Sequence, residues 1–176
     1  MDNPYKLGIL STRMPIPIRP ENCVFLDAGP VRFVVEPRIL TDEVMHQHNV
    51  KIGQPDLPPG WTFDDSGASL HVFGIADGLE HLRFDCFTKD AHYHYIRQLE
   101  QEQQVCPFDV VANGDPIEWA VTRLNRLPEM LEFAGAPELA AAVRLDLAGV
   151  LTVANQLELA LRQASEEVGV SASGSV

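Results

Sequence analysis

Ser69-Leu70-His71-Val72-Phe73, then Leu82-Arg83-Phe84-Asp85-Cys86-Phe87, then Ala91-His92-Tyr93-His94-Tyr95-Ile96: these three runs decide how the chain folds. Each is rich in the β-branched and aromatic residues that suit a pleated surface, and turn residues separate them, Asp77-Gly78 first and Thr88-Lys89-Asp90 second. With Asp77-Gly78 as a two-residue hairpin loop, Phe73 stands opposite Leu82, His71 opposite Phe84 and Leu70 opposite Asp85. One face then carries His71, Phe73, Leu82, Phe84 and Cys86, and the other Leu70, Val72, His81, Arg83 and Asp85. Neither is cleanly polar. A hairpin that needs cover on both sides points to a β-sandwich or a small barrel.

Upstream, Cys23-Val24-Phe25-Leu26-Asp27 and Val31-Arg32-Phe33-Val34-Val35-Glu36 form a second hairpin around Ala28-Gly29-Pro30, and Pro37 closes it. Before it, Met14-Pro15-Ile16-Pro17-Ile18-Arg19-Pro20 lacks the donors a central strand requires, so residues 1–20 read as an extended proline-rich arm. Thr41 to Ile52 reads as a strand that sets Val44, His46, His48, Val50 and Ile52 on one face. Pro55 to Gly67 reads as a loop anchored by Trp61 and Phe63.

After Val111 the pattern changes to helix. Asp115 as N-cap, Pro116 in the first turn and Glu118 three residues on form a start signal, and Ile117, Ala120, Val121, Leu124 and Leu127 follow at helical spacing as far as Pro128. A longer helix from Ala136 carries the seam Leu139, Val143, Leu147, Val150, Ala154, Leu157, Leu161 and Ala164. The expected architecture is therefore α+β: a mainly antiparallel β-sandwich or small barrel over about residues 21–111, followed by a C-terminal helical hairpin. Residues 21–112 form the β-rich domain, 113–168 the helical hairpin packed on the sheet or a second subunit, and 169–176 a disordered tail.

Four of the six histidines form two His-X-His pairs, His46 with His48 and His92 with His94. On a strand, such a pair offers two imidazole nitrogens on one face, suited to adjacent positions around a divalent transition metal such as Fe, Zn, Mn or Ni. Four imidazoles, or three with a carboxylate from Asp85, Glu36 or Glu80, would leave a position open for water or substrate. The pairs resemble in outline the metal motif of the cupin barrels. Neither is followed by that family's glutamate, since Asn49-Val50-Lys51-Ile52 and Tyr95-Ile96-Arg97-Gln98 stand there, so the likeness is one of geometry and the family is not assigned.

The function read from these residues is a small protein with a His-rich metal site at His46, His48, His92 and His94. If it is an enzyme, lyase, hydrolase or oxygenase chemistry on a small oxygen-bearing substrate is expected, with Asp85 moving a proton and Arg83, Tyr93 and Tyr95 orienting the substrate. The alternatives are a non-catalytic accessory subunit that oligomerises through its C-terminal helices, and a metal-free hydratase or isomerase-like pocket using His and Asp. A formal charge of -12 argues against nucleic acid and anionic membranes as partners, leaving a small-molecule substrate or a partner protein, with a homo-oligomer expected. Lys6, Arg13, Pro15 and Pro17 interrupt any signal-peptide core, and the three widely spaced cysteines suit reduced thiols, so a cytoplasmic location is expected. No nucleophile elbow and no phosphate-binding glycine loop occurs.

Overall fold

The computed structural model describes residues 8–55 and 59–173, with side chains as far as Gly169. Seven strands, β1 (Ile9–Ser11), β2 (Val24–Ala28), β3 (Val31–Thr41), β4 (Asp64–Gly74), β5 (Glu80–Phe87), β6 (His92–Arg97) and β7 (Glu102–Pro107), form one antiparallel sheet. Their order is β1-β7-β6-β5-β4-β3-β2, a meander from β2 to β7 with β1 returning to the far edge. Helix α1 (Asp42–Ile52) leaves the end of β3. The C-terminal part holds α2 (Val110–Asn113), α3 (Pro116–Thr122), α4 (Leu127–Phe133), α5 (Pro137–Leu145), α6 (Leu147–Leu151) and α7 (Ala154–Ser173).

The sheet is open, neither a sandwich nor a barrel, because β1 and β2 are edges that do not pair. Its central strands are covered on both sides, as the hairpin requires, but helices and the arm supply the cover instead of a second sheet. Helix α7 crosses β3 and β4, while α3 and α4 lie on β5 and β6. Phe33, Leu70, Leu82, Leu157 and Leu161 are fully buried in this layer, each contributing about 1.5–3 kcal/mol of apolar burial.

The hairpin register differs from the two-residue-loop expectation by one position. Leu70 pairs with Phe84, His71 with Arg83 and Ser69 with Asp85, and a bulge interrupts the ladder where Val72 meets Leu82 and Phe73 meets Glu80. The turn is longer than Asp77-Gly78: the Gly74 N–H reaches the Leu79 carbonyl, and the Gly78 N–H returns to the Gly74 carbonyl. A one-residue slip exchanges the faces of a strand. Ala68, Leu70, Val72, Leu82, Phe84 and Cys86 therefore join the helix-side core, and Ser69, His71, Arg83 and Asp85 share the opposite face. Gly67 permits the close approach of β4 and β5, because a Cβ there would run into the Cys86 carbonyl.

Residues 41–52 are helical from Asp42, not a strand. The Thr41 hydroxyl caps the Val44 N–H, Asp42 and Glu43 occupy the first turn, Lys51 the last, and Gly53 closes the helix at φ +67°. Asp115 caps α3 as expected, accepting from the Glu118 N–H at 2.8 Å. The long helix expected from Ala136 is divided into α5, α6 and α7 by turns at Asp146 and Thr152, yet Val143, Val150, Leu157 and Leu161 of its seam are fully buried. Trp61, expected as an anchor, is exposed. Of the tail expected over 169–176, residues 169–173 continue α7. Residues 1–7 of the arm, 56–58 of the loop and 174–176 of the tail lie outside the described residues.

Candidate metal centre

The face of the sheet away from the helices is polar and nearly dry. Glu36, Ser69, Asp85 and His92 form one cross-strand row over β3, β4, β5 and β6, and His71, Arg83 and His94 are the polar members of the next. Glu36, Ser69, His71, Glu80, Arg83, Asp85, His94 and Gln103 are all buried. The arm lies across them and meets their hydrogen-bonding needs with its backbone: the Ile16 carbonyl accepts from Arg83 Nη1 and Arg38 Nη2, the Arg13 carbonyl accepts from Gln103 Nε2, and the Arg19 N–H donates to Glu36 Oε1. Helix α1 is tied to the arm through Arg13 Nη1 and Asn49 Oδ1 at 2.7 Å.

Asp85, His92 and His94 converge on this face. Asp85 Oδ2 is 3.0 Å from His94 Nε2 and 3.3 Å from His92 Nε2, and among the described residues these three form the group of potential ligands whose donor atoms all lie within 4.8 Å of one another. The opposite nitrogen of each ring fixes its tautomer. His92 Nδ1 lies 2.7 Å from the Asp90 carbonyl, which can only accept, so Nδ1 carries the proton. His94 Nδ1 lies 2.7 Å from Gln103 Oε1, and that amide is oriented by its Nε2 donating to the Arg13 carbonyl, so here too Nδ1 donates. In the neutral rings both Nε2 lone pairs therefore face an ionised carboxylate, an arrangement that needs either a shared proton or a cation between them. Metal-ligating histidines are oriented in the same way, by donating the other ring N–H to a carbonyl or carboxylate. With bonds of about 2.0–2.1 Å, the edge between adjacent ligands is about 2.9 Å for octahedral and about 3.4 Å for tetrahedral geometry. The separations of 3.0 and 3.3 Å fall within that interval.

Electrostatics keep the carboxylate charged. Burial alone would raise the Asp85 carboxyl, but its close contacts with His92 and His94 and the nearby Arg83 charge outweigh it and hold the group well below the usual carboxylate range. The Ser69 hydroxyl donates to the other oxygen, Oδ1. The two imidazoles diverge: burial pulls His94 below its ordinary value despite Asp85, whereas for His92 the contacts with Asp85 and the Asp90 carbonyl overcome burial and raise it. His92 is the half-buried member and so the side of the cluster nearest solvent. A cavity of about 10 Å³ near Asp85 and His92 is lined mainly by helix-side residues, Phe84, Cys86, Tyr93 and Trp119 among them. It has about the room of a single water.

Beside the cluster the bulge puts Glu80 to use. Bulges re-aim side chains, and this one places Glu80 against Arg83 in a bidentate pair, Nε to Oε1 at 2.8 Å and Nη2 to Oε2 at 2.9 Å. Glu80 Oε1 also accepts from His71 Nδ1 at 2.7 Å, and His71 Nε2 faces Glu36 Oε2 at 3.5 Å. Burial opposes the Glu80 charge, but Arg83 and His71 hold its carboxyl far below the usual range.

Of the residues singled out from the sequence, the fold brings together Asp85, His92 and His94, with Arg83 beside them. His46 and His48 lie on α1 outside this cluster; His46 is exposed and His48 half-buried. Tyr93 and Tyr95 point through the sheet to the helices, where Tyr93 packs on Trp119 at 5.1 Å and Tyr95 on Phe133 at 4.5 Å. Arg83 is already committed to Glu80 and the Ile16 carbonyl. Ser69, Gln103 and Arg13 were not singled out. Gln103 falls within Gln101-Glu102-Gln103-Gln104, a polar run with no local signal of burial.

A seven-stranded antiparallel sheet, with helices on one face and an Asp–His–His cluster on the other, defines an α+β domain with a possible metal-binding triad. The chain belongs to the family described as a domain of unknown function, DUF7700, whose model matches residues 25–164. No curated protein and no solved structure matches it. The matched span contains the whole triad together with Glu36, Ser69 and Glu80, while the arm residues Arg13 and Ile16 precede it. Among the described residues no helix is long and apolar enough to cross a membrane.

Proposed function

We propose that Asp85, His92 and His94 hold a divalent transition metal and that the protein is a metal-dependent enzyme acting on a small oxygen-bearing substrate. The observation that carries this reading is the convergence of two Nε2 lone pairs and one carboxylate oxygen, with both Nδ1 atoms already engaged as donors. Three protein ligands leave positions for water and substrate, and two imidazoles with one carboxylate suit iron(II), zinc, manganese or nickel. The metal would polarise a substrate oxygen or supply a bound hydroxide. Glu80 has a supporting part: by neutralising Arg83 it removes a positive charge that would oppose a cation at His94.

The test is metal analysis of protein without a histidine tag. The parent chain is expected to carry about one ion per chain, His92→Ala none, and His46→Ala the parent amount. A parent that binds no metal overturns the reading, and so does equal loss in His92→Ala and His46→Ala. In the absence of metal, the Asp85 and His94 pair would favour the metal-free acid–base pocket. A second reading, assembly through the C-terminal helices, is supported by the exposed side chains of Phe133, Leu145 and Leu159.

A further inference from the structure

Glu36 Oε2 and the His71 Nε2 that faces it are buried without a hydrogen-bond partner among the described residues, and so are two further nitrogens on the arm side of the sheet, Nη1 of Arg38 and Nε2 of His48. Buried donors are almost always paired, so an orphan guanidinium N–H marks a place where a water or an ion belongs. The Arg38 side chain is nine-tenths buried. It extends from β3 one side-chain repeat beyond Glu36, in the row adjoining Glu36, Ser69, Asp85 and His92.

The remaining contacts of Arg38 place its guanidinium on the arm side of the sheet. Nη2 shares the Ile16 carbonyl with Arg83 Nη1, at 3.3 and 2.9 Å, so the guanidinium reaches back across β4 towards β5 and Asp85. Nε is 3.7 Å from Glu36 Oε2. Helix α1 contributes His48, whose imidazole is pulled below its ordinary value by burial and then by the nearby Lys51, Arg13 and Arg38 cations. A neutral ring of this kind can donate from Nε2.

The charges around the triad favour an anion once a cation is present. Glu36, Glu80 and Asp85 face Arg38 and Arg83, which leaves one net negative charge on the polar face. A divalent cation on the triad turns this into one net positive charge, before Arg13 of the arm is counted.

We propose that Arg38 Nη1, assisted by His48 Nε2, seats the carboxylate of a small carboxylic acid whose other end, or whose second carboxylate oxygen, meets the metal on Asp85, His92 and His94. The metal half of this statement rests on the triad reading; the Arg38 half does not. A planar carboxylate matches a guanidinium edge.

The experiment uses the full chain loaded with cobalt(II) and titrated with acetate, followed by visible absorption. The parent should show a saturable spectral change. Arg38→Gln should bind acetate about tenfold more weakly while its cobalt affinity stays that of the parent. Equal acetate affinity in the two proteins overturns the proposal, and so does an absence of acetate binding in the loaded parent, which would mean that water alone satisfies Arg38. If the parent does not bind cobalt, the triad reading falls by itself. The Arg38 seat is then judged on the metal-free chain by the rise in melting temperature with acetate: loss of the rise in Arg38→Gln supports it, and an unchanged or absent rise overturns it. Should Arg38→Gln fail to fold, His48→Gln on α1 carries the same comparison, with a smaller loss expected in place of none.

Discussion

Replacing Glu80 by Gln tests whether the polar face is as dry as its geometry implies. The substitution keeps the shape but removes the charge that answers Arg83, whose side chain is 2% exposed against 10% for Glu80. One carbonyl oxygen then replaces a carboxylate that accepted from Arg83 Nε, Arg83 Nη2 and His71 Nδ1, and the amide N–H₂ meets guanidinium donors. Removing one partner of a buried pair costs about 3–5 kcal/mol. Arg83 keeps the Ile16 carbonyl on Nη1, which favours the lower end, about 3 kcal/mol. With a urea slope of about 2 kcal/mol per molar, the midpoint should fall by about 1.5 M. Asp27→Asn is the matched control. Arg32 and Asp27 form an equally well-aligned bidentate pair at 2.7 and 2.8 Å, but their side chains are 47% and 49% exposed. That pair is screened by solvent, and its loss should move the midpoint by less than about 0.5 M. If the two variants shift the urea midpoint by the same amount, burial is not what gives the Glu80–Arg83 pair its value, and the reasoning fails.

Two further outcomes follow from the same face. Gln103→Met removes the acceptor that holds the His94 Nδ1 proton without touching a proposed ligand, and should weaken cobalt binding about 10–100-fold by titration; unchanged affinity would reject the tautomer assignment. In the metal-free protein Glu36, Glu80 and Asp85 have depressed folded-state values, so the stability they confer is complete above the unfolded carboxylate range near about 4 and is lost as pH falls through the folded values. His92, raised, contributes below about 6.5 and loses that contribution as pH rises through its folded value, whereas His94, lowered, costs stability as pH falls below about 6.5. Opposed in sign, the histidines offset each other in that window. Urea midpoints against pH should therefore decline most steeply below about 4; a flat acid limb would contradict the buried ion pairs.

The sheet strands and the start of α3 are legible in the chain because their signals are local: β-branched runs between turn residues, and Asp115-Pro116 with Glu118. The polar face is not, because it depends on a register that one bulge decides. Read with a two-residue loop, the hairpin scatters polar residues over both faces. With the extra residue at the bulge, Arg83 and Asp85 join Ser69 and His71 on one side and leave Leu70, Val72, Leu82 and Phe84 on the other. The cover over that face was equally hard to read, since the arm holds it largely through backbone carbonyls, which any sequence possesses.

The two His-X-His pairs show how completely secondary structure decides what a short motif can do. On β6 the residues flanking Tyr93 point to the same side, and Asp85 on the neighbouring strand stands directly opposite His92. On α1 the residues flanking Gln47 are separated by about 200° around the axis, so no single ion can be gripped by both rings. What distinguishes the pairs in the sequence is the company they keep: Thr41-Asp42-Glu43 ahead of the first and Lys51-Ile52-Gly53 behind it are helix boundaries, whereas Tyr93 and Tyr95 alternate with the second as a strand requires. Capping chemistry therefore outranks apolar alternation in a segment of this length.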